Sequence, residues 1–179
     1  MGLKLAGALL LIVSGLILGD REARRYDARH RDLCAMQHAL LMLETYVART
    51  VQPFPRALSS VGLAVRGPAG RLMCAVADEL MSNPHLTLAQ GWTRVLLAVK
   101  RGGRAHGFPA YRDDDLQVLG RLFAALGAGG RDDQVSHIRL ARETLAINEE
   151  SARRDLDTYP RLWRYLGAMG GATLALFIV

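Results

Sequence analysis

The chain contains few cysteines and few aromatic residues, on which zinc-binding and nucleic-acid-binding proteins depend. It has two cysteines, Cys34 and Cys74, in 179 residues, and both lie in apolar helical settings where reduced core thiols are the default expectation. Aromatic residues make up 6% of the chain, and neither zinc-ligand spacing nor an RNA-binding signature occurs. Nucleic acid is therefore not the expected partner despite the net charge of +6. No stretch alternates apolar and polar residues with the period of two that a half-buried strand requires, which favours an all-α fold.

Charged residues are absent near both ends of the chain, in Leu5–Gly19 and in Leu166–Val179. As a helix, the first run covers about 22 Å, which is shorter than the ~30 Å hydrocarbon core of a bilayer. Lys4 and Arg21 can extend towards the lipid headgroups and lengthen this span. Trp163 precedes the second run, at a position where interfacial aromatic residues belong. Both runs are therefore predicted to cross a membrane as helices.

The distribution of charge predicts the domain organisation and the orientation. Transmembrane helices are expected at 1–19 and 163–179, with one helical domain at 20–162 between them. The central segment holds nearly all of the charged residues and carries a net positive charge, so the positive-inside bias places it in the cytoplasm and both termini across the cell membrane. The alternative is a signal peptide cleaved near Gly19, which would leave a secreted or singly anchored helical adaptor. The small-x-small cleavage pattern of such a peptide is absent.

Two groups of residues near the predicted spans are candidate contact sites. Gly167, Gly170 and Gly171 form a small-residue face that would let two membrane helices approach closely, although glycine is also common in membrane helices without such a contact. Basic residues beside the spans would form a collar that binds anionic lipid headgroups, unless they only pair with acidic neighbours on a solvated helix. The members of this basic collar are Arg21, Arg24, Arg25, Arg29, Arg31, Arg161 and Arg164.

Helical periodicity organises the segment between the spans. Apolar residues recur at alternating three- and four-residue spacing from Leu33 to Val47, which predicts a packing seam that ends before Pro53. Proline and glycine then separate shorter helices, expected at about 56–65, 69–81, 87–100 and 113–126. Thr87 is the expected N-cap of one of them, and Asp132 or Asp133 that of a last helix reaching towards residue 159. We expect a bundle of about six helices in which the first and last are antiparallel.

No arrangement of residues predicts an active site, a cofactor site or a metal site. Asp113–Asp115 are consecutive, so on a helix their carboxylates point in different directions, and the helix dipole explains an acidic first turn. Gly127–Gly130 lacks the Lys-Ser/Thr pair of a phosphate-binding loop and is expected to end a helix. The histidines form no His-Glu-x-x-His motif, and Ser136-His137 is an adjacent pair without a triad. The sequence therefore predicts that the protein is not an enzyme.

Several stretches share their order and spacing with one known family. They are Leu3–Ala8, Ala39–Glu44, Pro53–Leu58, Gly67–Leu72, Thr87–Trp92, Leu119–Gly127, Asp132–Leu140 and Tyr165–Gly171. In this order they resemble stage III sporulation protein AB, a component of the mother-cell channel apparatus of endospore-forming bacteria. The chain departs from the family pattern at Gln90-Gly91, where Glu-Ala is usual, and at Tyr46, where an acidic residue is expected.

The resemblance implies a helical bundle similar to the F-type platform proteins of type II secretion and type IV pilus machines. It further implies a non-catalytic scaffold of the sporulation channel, required for endospore formation, which couples a secretion-type ATPase to membrane subunits. The expected partners are membrane lipids, other channel subunits and the ATPase, with homo-oligomers left open. No cofactor is expected, and the expected location is the cell membrane, with the central domain on the mother-cell side.

Overall fold

The chain folds into helices throughout the part that the computed structural model describes. Its backbone is described for residues 2–50, 52–101, 110–127 and 129–178; side chains are described at Ser14, Asp20, Arg24 and Met169 and in 26–50, 52–99, 101, 110–127 and 129–155. Within these ranges there are six helices and no strand. The helices are α1 (Gly2–Arg49), α2 (Phe54–Ala64), α3 (Pro68–Ser82), α4 (Leu88–Arg101), α5 (Asp113–Ala125) and α6 (Arg131–Ile178). The predicted all-α fold of about six helices is confirmed.

The helices belong to two compact units. One unit is Arg31–Glu149, and the other combines Met1–His30 with Glu150–Val179. Among the described residues, no helix has both the length and the apolar composition needed to cross a bilayer. The side chains of the predicted spans lie outside the described residues, apart from Ser14 and Met169. The assignment of these segments as transmembrane helices therefore stays a prediction.

Local side-chain contacts explain where two of the helices begin. Thr87 and Gln90 form a reciprocal capping box at the start of α4, because the Gln90 N–H donates to Thr87 Oγ1 (3.3 Å) and the Thr87 N–H donates to Gln90 Oε1 (2.9 Å). Thr87 is thus confirmed as the cap. The predicted cap of α6 is wrong, because α6 already begins at Arg131. Asp133 acts from inside the first turn and accepts a hydrogen bond from the Gly130 N–H (3.3 Å).

Helices α2 and α3 form a hairpin in which two glycines allow very close packing. A Cβ atom at Gly70 would lie 1.7 Å from the carbonyl oxygen of Val65 and 2.5 Å from that of Gly62. The turn between the helices passes through Gly67, whose φ of +97° lies in the left-handed region that favours glycine. Pro68 follows at the first helical position of α3, where its missing N–H costs nothing.

In the Arg31–Glu149 unit, α1 supplies the predicted seam and α6 runs antiparallel to it. The seam residues Leu33, Met36, Leu40 and Leu43 are all fully buried. The Glu44 carboxylate accepts hydrogen bonds from Arg139 Nε (2.6 Å) and Arg142 Nη1 (3.0 Å). Nearer the start of this stretch, the Cys34 thiol lies beside Glu149. Because residue numbers rise on one helix as they fall on the other, the two helices are antiparallel here, as predicted.

The middle helices close the core of the same unit. The Trp92 ring of α4 stacks on the Phe123 ring of α5, with ring centroids 4.9 Å apart and planes 19° from parallel. Arg94 Nη1 on α4 donates to Glu79 Oε1 on α3 at 3.1 Å. Consecutive helices therefore pack on one another from α2 to α5. Residues 102–109, between the helices predicted at 87–100 and 113–126, lie outside the described residues.

Candidate functional site

A buried polar cluster joins α1, α5, α6 and the segment that precedes α5. Asp32 is 7% exposed, and its Oδ2 accepts a hydrogen bond from the Ala110 N–H at 2.7 Å. The hydroxyl of Tyr111, which is also 7% exposed, donates to the carbonyl oxygen of Asp32 at 2.9 Å. These two bonds fix residues 110–111 on α1.

Asp115 holds the first turn of α5 against α6. Its side chain is completely buried, Oδ2 accepts from the Arg112 N–H (2.9 Å), and Oδ1 accepts from Asn148 Nδ2 (2.9 Å). The first bond satisfies a backbone donor at the start of the helix, and the second reaches across to α6. Asp113 and Asp114 are exposed. Of the three consecutive carboxylates, Asp115 is therefore the one used in packing.

Burial dominates the electrostatics of this cluster. It raises the pKa of Asp32 above its ordinary value, an effect reduced by the Ala110 N–H and by the charges of Arg31 and Arg71. It also raises the pKa of Tyr111 well above its usual range, and the nearby Asp32 and Asp115 carboxylates add to this shift. Perturbed pKa values often mark catalytic groups. Here, however, the hydrogen bonds of the three side chains run to other groups of the same domain, which assigns the cluster a structural role.

The two thiols differ in exposure: Cys34, which was expected in the core, is exposed, and Cys74 is half-buried. Burial raises the pKa of Cys34, and the adjacent Glu149 carboxylate raises it further. Burial also raises the pKa of Cys74, with a smaller effect from Asp78. Because the thiolate is the reactive form, a raised pKa leaves less of it at neutral pH.

The Gly127–Gly130 stretch ends a helix, as predicted. Helix α5 stops at Ala125, Leu126 is its C-cap, and Gly127 follows with a φ of +91°. A glycine in the left-handed conformation after the C-cap is a common way to end a helix. Nothing further is needed to explain this run of glycines.

Most of the predicted membrane-contact residues lie outside the described side chains. This holds for Gly167, Gly170 and Gly171 and for Arg21, Arg25, Arg161 and Arg164. Arg24 is described: its side chain is 77% exposed, and its Nη2 lies 2.7 Å from Asp20 Oδ2, one helical turn earlier. Arg29 is 7% exposed, and its Nη1 lies 3.8 Å from Asp155 Oδ2. Arg29 is therefore placed in an ion pair within its unit, not in an exposed collar.

Two apolar surfaces of the Arg31–Glu149 unit were not predicted from the sequence. The first, which we call the α6 face, is marked by Leu140 and Ile147, which are 62% and 72% exposed. A small cavity of about 110 Å³ beside Leu140 is lined by residues of α5 and α6, including Val118, Arg121 and His137. Two exposed aliphatic residues seven positions apart on one helix have the spacing of a helix-packing seam. The sequence contained a signal for this face, because Leu140 and Ile147 are out of phase with Ile138 and Leu145, which are buried.

The second surface is a groove where the start of α2 meets the end of α3 and the start of α4. We call it the α2–α3 groove. Its volume is about 710 Å³. The lining residues are Pro53, Phe54, Pro55, Arg56, Leu80, Met81, Pro84, Leu86 and Leu88. Three separate segments form it, so no periodicity within one segment could have revealed it.

The described residues thus form an all-helical domain whose buried polar groups take part in packing. The family model described as stage III sporulation protein AB matches residues 4–179, and the chain belongs to this family. The stage III sporulation protein AB of Bacillus subtilis (strain 168) is 24% identical over 177 residues, which cover 99% of each chain. A solved structure of stage III sporulation protein AB has a similar fold, with a TM-score of 0.62 and 22% identity over 72% of this chain and 96% of that one.

Proposed function

We propose that this protein is a non-catalytic scaffold of the mother-cell sporulation complex, which couples a cytoplasmic secretion-type ATPase to membrane subunits and is required for endospore formation. The observation that carries the proposal is the family match over residues 4–179, which ties the whole chain to sporulation. The coupling role comes from the resemblance of the helical domain to the platform proteins of secretion machines.

The non-catalytic part of the proposal is supported by the use of the buried polar groups. The carboxylates of Asp32 and Asp115 and the hydroxyl of Tyr111 are engaged with partners inside the domain. A catalytic acid or base needs a face that is open to a substrate. The roles of these three residues are explained by packing alone.

Membrane attachment is supported by the sequence. The domain boundaries proposed are transmembrane helices at 1–19 and 163–179 and a cytoplasmic domain at 20–162. The uncharged runs at both ends, with basic residues beside them, fit a chain anchored twice in the same bilayer. Single cysteines at Gly2 and Gly103, in a background without Cys34 and Cys74, test this topology. An impermeant thiol reagent applied to intact cells should label position 2 and spare position 103, and the reverse pattern would refute it.

We propose further that Gly167 and Gly171 pack against another membrane helix. Gly171→Leu keeps the segment apolar, so insertion should persist, while close helix approach is lost. Ala172→Leu, one position away and on another side of the helix, is the matched control. The expected result is weaker co-purification of the complex with Gly171→Leu alone. If the complex co-purifies equally well with both variants, then these glycines reflect only the high frequency of glycine in membrane helices.

The α6 face is the surface we assign to partner binding by the cytoplasmic domain. Leu140 and Ile147 expose aliphatic surface on one side of α6, and their spacing of seven residues suits a helix of a neighbouring subunit. A few residues near the centre of such a contact carry most of its binding energy.

The test changes these two residues in sporulating cells. Leu140→Glu combined with Ile147→Glu should reduce co-purification of the ATPase by about tenfold or more and lower the yield of spores. Leu63→Glu is the matched control, because Leu63 is 76% exposed on α2 and outside this face. Normal sporulation by the double variant, with normal recovery of the ATPase, would show that this face is not the coupling surface.

A further inference from the structure

The α2–α3 groove has a shape that suits a helical segment of another protein. Three prolines are among its lining residues: Pro53 and Pro84 lie in connecting segments and Pro55 in the first turn of α2, and each fixes its own backbone φ. Leu80, Leu86 and Leu88 give it an aliphatic lining, and Met81, which is 47% exposed, adds a flexible side chain able to adapt to a partner. A preformed apolar groove pays little ordering cost on binding.

The walls of the groove restrict the way in which a partner chain can bind. They consist of helix ends and short connections, and the described part of the chain has no strand whose edge could accept an added strand. Side chains must therefore make the contacts. An amphipathic helix that places aliphatic residues in the groove is a recognition mode that relies on side-chain contacts of this kind.

Charge decides which kind of helix this is. Arg56 is the one charged residue that lines the groove, and it is exposed. Within the described ranges its guanidinium has no hydrogen bond and no ion pair. Helix α2 has no acidic residue in its first turn and no side chain that caps it. The positive end of its dipole therefore adds to the positive potential that Arg56 creates at the groove. A partner with carboxylates beside its apolar face would complement this surface.

We propose that the α2–α3 groove binds an amphipathic helix of another protein, with aliphatic residues in the groove and an acidic residue paired with Arg56. This surface is separate from the α6 face, since the two share no residue. The inference deepens the proposed scaffold function by giving the domain a second binding surface. The role of this surface in cells rests on that proposed function. The binding itself can be measured without it.

The test uses purified full-length protein and two synthetic amphipathic peptides. Both peptides have the same leucine face, but one carries glutamates and the other lysines at the flanking positions. Fluorescence anisotropy should show that the glutamate peptide binds about tenfold more tightly or better. Arg56→Glu should reverse this preference, and Met81→Asp should weaken the binding of the glutamate peptide. Arg66→Glu is the matched control, because Arg66 is exposed beyond the opposite end of α2 and should leave the preference unchanged.

Several outcomes would overturn the inference. Equal binding of both peptides would remove the role of charge, and an unchanged preference in Arg56→Glu would place the site elsewhere. Displacement of the glutamate peptide by vesicles of anionic phosphatidylglycerol would identify the groove as a lipid site. Unchanged circular dichroism of each variant shows that loss of binding is not loss of folding. Because the readout is binding of peptides in vitro, it can succeed or fail independently of the α6-face test in cells.

Discussion

Replacing Gly70 with alanine should strongly destabilise the Arg31–Glu149 unit. The added Cβ atom would lie 1.7 Å from the Val65 carbonyl oxygen and 2.5 Å from that of Gly62, far inside van der Waals contact. Both obstacles are backbone atoms, so no side-chain rotation can relieve the clash, and α2 and α3 must move apart. Overpacking typically costs 1–3 kcal/mol and occasionally more, whereas alanine gains about 1 kcal/mol of helix propensity over glycine.

Because both obstacles are backbone atoms, we expect the clash to cost about 4 kcal/mol, above the usual range, which leaves a net loss of about 3 kcal/mol in the free energy of unfolding after the gain in helix propensity. For a unit of this size, a loss of that kind lowers the melting temperature by roughly 10 °C or more. Thermal unfolding of the purified full-length chain, followed by circular dichroism in mild detergent, measures this change.

Gly120→Ala is the matched control for this experiment. Gly120 lies in α5, and its added Cβ atom would lie 3.3 Å from Trp92 Nε1, a side-chain atom that can shift by a few tenths of an ångström. This variant should melt within a few degrees of wild type, since the gain in helix propensity offsets a small adjustment. If Gly70→Ala and Gly120→Ala have the same melting temperature, then α2 and α3 do not approach each other as closely as described.

The remaining predictions concern burial and charge in the same unit. Leu40→Asp places an unpaired charge at a fully buried position and should lower the free energy of unfolding by more than about 4 kcal/mol. Leu41→Asp, at a 47% exposed position, should lower it little, and equal denaturation midpoints of the two variants would contradict this prediction. Asp115→Ala should cost about 2 kcal/mol because it leaves buried donors unpaired, and Asp114→Ala less than about 1 kcal/mol, as measured by urea unfolding. Burial raises the pKa of Asp32, so its stabilising contribution is full below the unfolded pKa and is lost as pH rises through the folded pKa. The unfolding free energy of Asp32→Asn relative to wild type should therefore increase as pH rises above 3.8, and a pH-independent difference would contradict the shift.

Local sequence signals located most of the helices. The three- and four-residue spacing from Leu33 to Leu43 identified the buried face of α1, because only one side of a helix can face the core. Thr87 was recognisable as a cap from its position before an apolar run. The error at the start of α6 has a simple cause. Gly130, which precedes the first residue of α6, has no side chain to signal a cap, so the helix appeared to begin at the aspartates that follow.

Local patterns could not locate the polar cluster or the α2–α3 groove. Asp115 is one of three consecutive aspartates, and no local pattern distinguishes the carboxylate that meets Asn148 on α6 from its exposed neighbours. The α2–α3 groove depends on where Pro53, Met81 and Pro84 come together, and these belong to different segments. Leu140 and Ile147 could have been recognised as out of phase with the buried positions of α6, but only a defined core shows that they remain exposed.

The sequence by itself determined the helical class, the positions of the breaks between helices, the buried side of α1 and the family, because each depends on residues that are near one another in the chain or on their order along it. Tertiary structure alone decided which polar groups are buried and paired, how closely Gly62 and Gly70 bring α2 and α3 together, and which aliphatic residues are left for partners. These properties depend on contacts between residues far apart in sequence, and the free energy of such contacts is set by geometry that no single segment contains.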